Sequence, residues 1–393
     1  MTSVLTQSQV KKWHLSVVLL FVFMGAAWTA MITRMPLVKE NLAVTAGQLG
    51  LILLGTGVGS LVGLNIIGRL IAKRGTRIWI RIFYPTLGVF VVASTLLVEA
   101  HQTIAFLVLG IVMGSLMGIT DVSINVDGTA LEKVAGKTLM PRMHAGYSIG
   151  TLVGSGWGTL AAATGMSLFW TVAPLAAIQI ALPFALAKHL PEGTGVETAH
   201  VEGQKPAGNW FTFSLILFGI GILGITLAEG AAGDWLTLGL ANGFKTTGAN
   251  AGFGFTVFFV GMVIVRFFGG GWADKIGKGR ALQLLAAIGV AGILLVILGS
   301  PNIYLGWIGA GLWGAGVALG FPLFLSAAGE GENSAKRVGF VATWGYGAFL
   351  AGPPLLGLLA DSIGMLNMFY VIGGFLFVAL LVAGAAGSGK TAK

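Results

Sequence analysis

Twelve runs of about 20 mostly apolar residues follow one another along this chain, each long enough to cross a bilayer as a helix. The expected spans are 14–33, 47–71, 78–98, 103–127, 142–163, 167–187, 211–232, 249–272, 281–299, 303–328, 338–360 and 365–386. Only 9% of the 393 residues are charged, against about 25% in soluble domains. The expected fold is therefore an all-α membrane protein of twelve transmembrane helices. The first run is too long for a signal-peptide core and no small-x-small cleavage site follows it, so it is read as an uncleaved span. With no cysteine, disulfides, thiolate metal sites and thiol nucleophiles are excluded. Glycine is abundant, 63 residues, which in a membrane protein implies close helix packing and hinges.

The net charge of +9 is spread over short loops, so topology explains it better than nucleic acid. One side takes Lys11, Lys12, Arg69, Lys73, Arg74, Arg77, Arg81, Lys133, Lys137 and Arg142. Further on it takes Lys188, Lys205, Lys275, Lys278, Arg280, Lys336, Arg337, Lys390 and Lys393, while the other side takes only Arg34, Lys39 and Lys245. By the positive-inside rule both termini are expected in the cytoplasm. A polar stretch rich in glycine and proline, 188–209, is read as a flexible cytoplasmic linker between residues 1–187 and 210–393, two six-helix bundles. The halves repeat: GRLIAKRGTR at 68–77 matches GGWADKIGKGR at 270–280, and GYSIG at 146–150 matches GYGAF at 345–349. Gly165-Met166 and Gly364-Met365 keep the same register.

Acids inside spans are costly, by about 2.5–3.5 kcal/mol on insertion scales, so each is a functional candidate. Asp121 and Asn125 share one helix face, four residues apart, with Gly114 and Gly118 extending it. Asp127 points elsewhere and reads as a headgroup-level acid. Glu229 is the second candidate, with a solvated outer helix end beside Asp234 as its alternative. A carboxylate that takes up a proton at one face and releases it at the other would couple transport to protons. Arg266, inside the eighth span, balances an acid, binds an anionic substrate group or snorkels to the cytoplasmic side. Gly55, Gly59 and Gly63, and Gly146, Gly150, Gly154 and Gly158, form ladders expected at helix contacts. GAAGSGKT at 384–391 matches a phosphate-loop pattern, but it follows a span rather than a strand, so ATP binding is rejected.

GGWADKIGKGR resembles the loop motif of the major facilitator superfamily, glycine-x-x-x-aspartate-basic-x-glycine, between the second and third span of a half. The resemblance implies a gating role for Gly270, Asp274, Lys275, Gly277 and Arg280, and for Gly68, Gly75 and Arg77 in the first half. There the copy departs from the pattern, because Ala72 stands where the family has aspartate. Asp121-x-x-x-Asn125 and Glu229 look like elements of fucose-permease-like proton symporters, although no acid lies between His14 and Thr33, where the fucose carrier has one. In that family spans one, four, seven and ten line the cavity. The resemblance thus implies a substrate site of Trp28, Asp121, Asn125, Glu229 and Trp313, with Asp121 and Glu229 coupling protons; Tyr346, in the eleventh span, is a further candidate for that site.

The expected function is a secondary active transporter moving a small polar organic solute, sugar-like by resemblance, by proton-coupled symport. The alternative is a proton-driven efflux antiporter for amphipathic compounds, for which Gly352-Pro353-Pro354 is a faint echo. No enzyme, cofactor, metal or nucleic-acid role is expected. A monomer in a bacterial inner membrane is expected, its partners being solute, protons and the lipid bilayer.

Overall fold

A computed structural model describes residues 6–136, 139–196, 211–330 and 333–390, and they are helical almost throughout. The helices are α1 (Gln7–Thr33), α2 (Met35–Leu42), α3 (Ala46–Arg74), α4 (Thr76–Glu99), α5 (Thr103–Ala135), α6 (Met140–Ala163) and α7 (Leu168–Leu186). They continue as α8 (Phe213–Gly243), α9 (Gly248–Ile276), α10 (Lys278–Leu298), α11 (Ile303–Val317), α12 (Gly320–Ala328), α13 (Ser334–Ile363) and α14 (Met365–Val382). Among the described residues eleven segments are long and apolar enough to span a membrane. The expected span at 142–163 is the 24-residue helix α6, which falls outside that count. Large apolar side chains such as Ile104, Phe267 and Leu381 are 81%, 73% and 63% exposed, which is tolerable only where hydrocarbon covers them.

Helix ends follow local chemistry. Thr6 and Gln9 form a reciprocal capping box on α1, with Gln9 N–H donating to Thr6 Oγ1 and Thr6 N–H to Gln9 Oε1. Ser167 caps α7, Thr247 caps α9 and Asn302 caps α11. Carboxylates do the same from a distance: Glu132 accepts from the N–H groups of Leu139 and Met140 at the start of α6, and Glu99 from Phe169 N–H in α7. Gly75 (φ 73°) and Gly277 (φ 90°) break the chain between α3 and α4 and between α9 and α10. Gly165 (φ 70°) and Gly364 (φ 89°) do so before α7 and α14. The repeat read in the sequence thus recurs as equivalent left-handed turns that side-chain-bearing residues adopt only with strain.

The chain divides into two compact units, Met1–Ala43 with Ile52–Val201, and Val44–Leu51 with Glu202–Lys393. In the first, α1 lies on α6 and α4 packs against α5 and α7. The two glycine ladders are the seams. A β-carbon on Gly150 or Gly154 would overlap the Val22 or Ala26 carbonyl of α1, and one on Gly59 or Gly63 the Ile111 or Ser115 carbonyl of α5. In the second unit α8 packs against α13 and α14, and α11 between α9 and α10. Val44–Leu51 falls there because Asp361 of α13 accepts from the N–H groups of Ala46 and Gly47 at 2.9 and 2.7 Å, and Gly50 lies against the Pro353 backbone.

Part of the expected linker is not loose chain. Thr76 N–H donates to Thr194 O at 2.9 Å, Arg77 pairs with Glu192 at 2.8 Å, and Gly193 lies against Gly75. Residues 190–196 form a strap over the α3–α4 turn of the first unit. The rest of that linker, 197–209, lies outside the described residues.

Candidate functional site

The polar centre of the second unit is built on a broken helix. The expected tenth span, 303–328, is two helices, α11 and α12, parted at Ala318 and Leu319. Pro322 supplies the cause: it has no N–H to donate to the carbonyl four residues back, which is Ala318. Arg266 of α9 fills that place, donating from Nε to Ala318 O at 3.1 Å. The same guanidinium donates from Nη2 to Glu229 Oε1 of α8 at 2.8 Å. Arg266 thus balances an acid rather than snorkelling. The side chains are 30% and 24% exposed, so water is largely but not wholly excluded.

Glu229 is also deeper than the expected span allowed. Helix α8 continues to Gly243 rather than ending near 232, leaving fourteen residues, about 21 Å of helix, beyond Glu229. A solvated helix end is therefore not its environment. The extension is apolar, with Trp235, Leu236, Leu238 and Leu240 all buried, and this carries the helix past Asp234.

In the first unit, Asn125 of α5 donates from Nδ2 to Asp121 Oδ1 at 3.0 Å and to the Asp121 carbonyl at 2.8 Å. Both side chains are half-buried. Helix α5 runs to Ala135 rather than 127, so Asp121 also lies mid-helix, about 21 Å before the end. Asn125 thus engages one carboxylate oxygen of Asp121.

Asp127 is not a headgroup-level acid. It is fully buried and accepts from Trp13 Nε1 of α1 at 2.9 Å. The continuation of α5 and the Trp13 indole together remove it from water. Its Oδ2 and the hydroxyl of Thr76 are both buried, and the Thr76 side chain acts on this carboxylate as a second, looser partner.

The aromatic positions separate. Trp313 is fully buried and packs edge-on against Phe258 and Phe369, at ring separations of 6.1 and 5.4 Å. It is part of the core of the second unit, and stacking on a solute there would require that packing to open. Trp28 is half-buried and Tyr346 is 50% exposed.

The loop motifs also differ. Asp274 is exposed and makes no ion pair among the described residues, and Lys275 and Arg280 are exposed as well. The nearby ion pair is instead Lys278 with Glu330, at 2.6 Å, Lys278 also bonding Ser326. In the first unit Arg77 has the strap residue Glu192 as its acid, while Gly68 and Gly270 both face open space. Arg34 holds the start of α7, donating to Met166 O and Thr171 Oγ1 at 3.0 and 2.9 Å.

Residues 209–387 match the family description Major Facilitator Superfamily. The chain is 27% identical over 374 residues to an uncharacterised MFS-type transporter of Yersinia pestis, covering 93% of this chain and 92% of that one. Its fold is similar to that of a variant of the nucleoside transporter NupG, with a TM-score of 0.78 at 11% identity, covering 95% and 99% of the two chains. It is also similar to a variant of the Escherichia coli fucose:proton symporter FucP, with a TM-score of 0.59 at 16% identity, covering 96% and 98%. With its apolar helices and these likenesses, the chain is an integral membrane protein whose residues 209–387 match the major facilitator superfamily and whose fold is similar to that of solved transporters.

Proposed function

We propose that this chain moves a small polar organic solute across a bacterial inner membrane by alternating access of two six-span halves, coupled to protons in symport. The observation that carries the reading is the Glu229–Arg266 pair, docked on the carbonyl that Pro322 frees at a helix break. Discontinuous helices with freed carbonyls form solute and coupling-ion sites in many secondary transporters. A proton reaching Glu229 would remove its charge and loosen Arg266, whose donors could then turn to solute oxygens. Asp121, steadied by Asn125, offers the second carboxylate. The likeness to a fucose:proton symporter and to a nucleoside transporter supports a hydroxyl-rich solute such as a sugar or a nucleoside.

The test is uptake into proteoliposomes under an imposed pH gradient, with panels of labelled sugars and nucleosides and a pH-sensitive dye inside. Symport predicts accumulation of one class with protons entering alongside the solute. Asp121→Asn should abolish that accumulation while solute exchange persists. Accumulation by Asp121→Asn at the wild-type level would remove Asp121 from the coupling. Proton movement opposite to the solute would replace symport with efflux antiport.

A further inference from the structure

The strap that closes over the α3–α4 turn walls one side of a cavity of about 520 Å³, and three arginines converge on it. Arg74 ends α3, and Arg77 and Arg81 stand one turn apart on α4, so their side chains share a face. Glu192 neutralises Arg77 alone. Arg74 and Arg81 have no ion-pair partner among the described residues. Three guanidiniums against one carboxylate leave the cavity with an excess of two positive charges.

Below the arginines the lining is apolar. Ile82 of α4 and Phe184 of α7 are 46% and 60% exposed, as residues facing hydrocarbon are. A free metabolite anion would gain nothing from that apolar wall. A ligand with a phosphate head and hydrocarbon chains would satisfy both parts, because guanidinium forks bind phosphate oxygens in pairs and the chains would cover Ile82 and Phe184. The positions of Lys and Arg along the chain put this end of α3 and α4 on the cytoplasmic side, where bacterial membranes expose anionic lipid.

We propose that the cavity bounded by Arg74, Arg81 and the strap is a binding site for one anionic phospholipid, its phosphate on the two unpaired arginines and its chains along α4 and α7. The site is separate from Asp121, Glu229 and Arg266, so it stands or falls independently of the coupling reading. Lipid bound there would also lie against Glu192 and Gly193, and so would brace the strap on the loop motif whose aspartate is missing at Ala72.

The experiment is native mass spectrometry of the full-length, delipidated protein titrated with phosphatidylglycerol, phosphatidylcholine or inorganic phosphate, followed by thermal unfolding with each. Wild type should retain one phosphatidylglycerol at least tenfold more tightly than phosphatidylcholine and melt at a higher temperature with it. Arg74→Gln/Arg81→Gln should lose that preference, and Arg74→Lys/Arg81→Lys should keep part of it. Arg77 is left intact in every variant. Equal retention of the two lipids by wild type would overturn the proposal, as would an undiminished preference in the Gln pair. Protection by millimolar inorganic phosphate equal to that by phosphatidylglycerol would also overturn it, marking a site for a free anion. If the Gln pair does not fold, the wild-type lipid preference and the Lys pair decide.

Discussion

Replacing Arg266 by glutamine tests the polar centre of the second unit most directly. The change removes the positive charge 2.8 Å from Glu229 and the donor to the Ala318 carbonyl. Two unit charges about 4 Å apart attract by ~4 kcal/mol at an effective dielectric near 20. Breaking a buried pair by deleting one partner costs about 3–5 kcal/mol, because the survivor stays desolvated. The two side chains are 30% and 24% exposed, so partial hydration lowers the expected loss to about 2–3 kcal/mol. Glu229→Gln should cost a similar amount, since it strands the guanidinium instead. The double variant removes both charges and should cost only about 1 kcal/mol, chiefly for the weakened bond to Ala318. Thermal unfolding of the four purified proteins in one detergent closes the cycle. Each single variant should melt well below wild type, with the double variant above both. Additive losses, or single variants that melt with wild type, would refute the view that these groups stabilise each other at the helix break.

Two further substitutions probe the first unit. At Gly150 a methyl group would overlap the Val22 carbonyl, so Gly150→Ala should part α1 from α6 and cost about 1–3 kcal/mol or more. Gly156, on the same helix, faces open space, so Gly156→Ala should be neutral or stabilise by up to ~1 kcal/mol; equal melting temperatures would mean the ladder is not a tight seam. Trp13→Phe keeps an aromatic ring but removes the donor to buried Asp127, an expected loss of about 1–3 kcal/mol by thermal unfolding. An unchanged melting temperature would mean that another group already satisfies that carboxylate.

Much of the architecture is legible in the chain because it depends on local chemistry. Hydrocarbon-length apolar runs locate the helices, and glycines at matched positions mark the left-handed turns between α3 and α4 and between α9 and α10. The glycine ladders are equally readable, since only a residue without a β-carbon lets two backbones approach so closely. Helix lengths are less so. Helices α5 and α8 run well past their expected ends because Asp127 and Asp234 look like boundaries in one dimension, and Trp13 supplies Asp127 with a partner from 114 residues away.

The amino-acid sequence by itself determined that this is a helical membrane protein with a repeated loop motif, and it marked Asp121, Glu229 and Arg266 as charges lying within apolar runs. Those properties follow from composition, spacing and the energy of burying a charge, none of which needs a partner. Only the tertiary structure decided which charge meets which: Glu229 with Arg266 on the Ala318 carbonyl, and Arg77 with the strap residue Glu192. The expected single span at 303–328 gave no sign of the break at Ala318 and Leu319 or of the α9 side chain that fills it. Pairing is a three-dimensional property, set by how helices far apart in the chain pack, and an ion pair loses its meaning beyond a few ångströms.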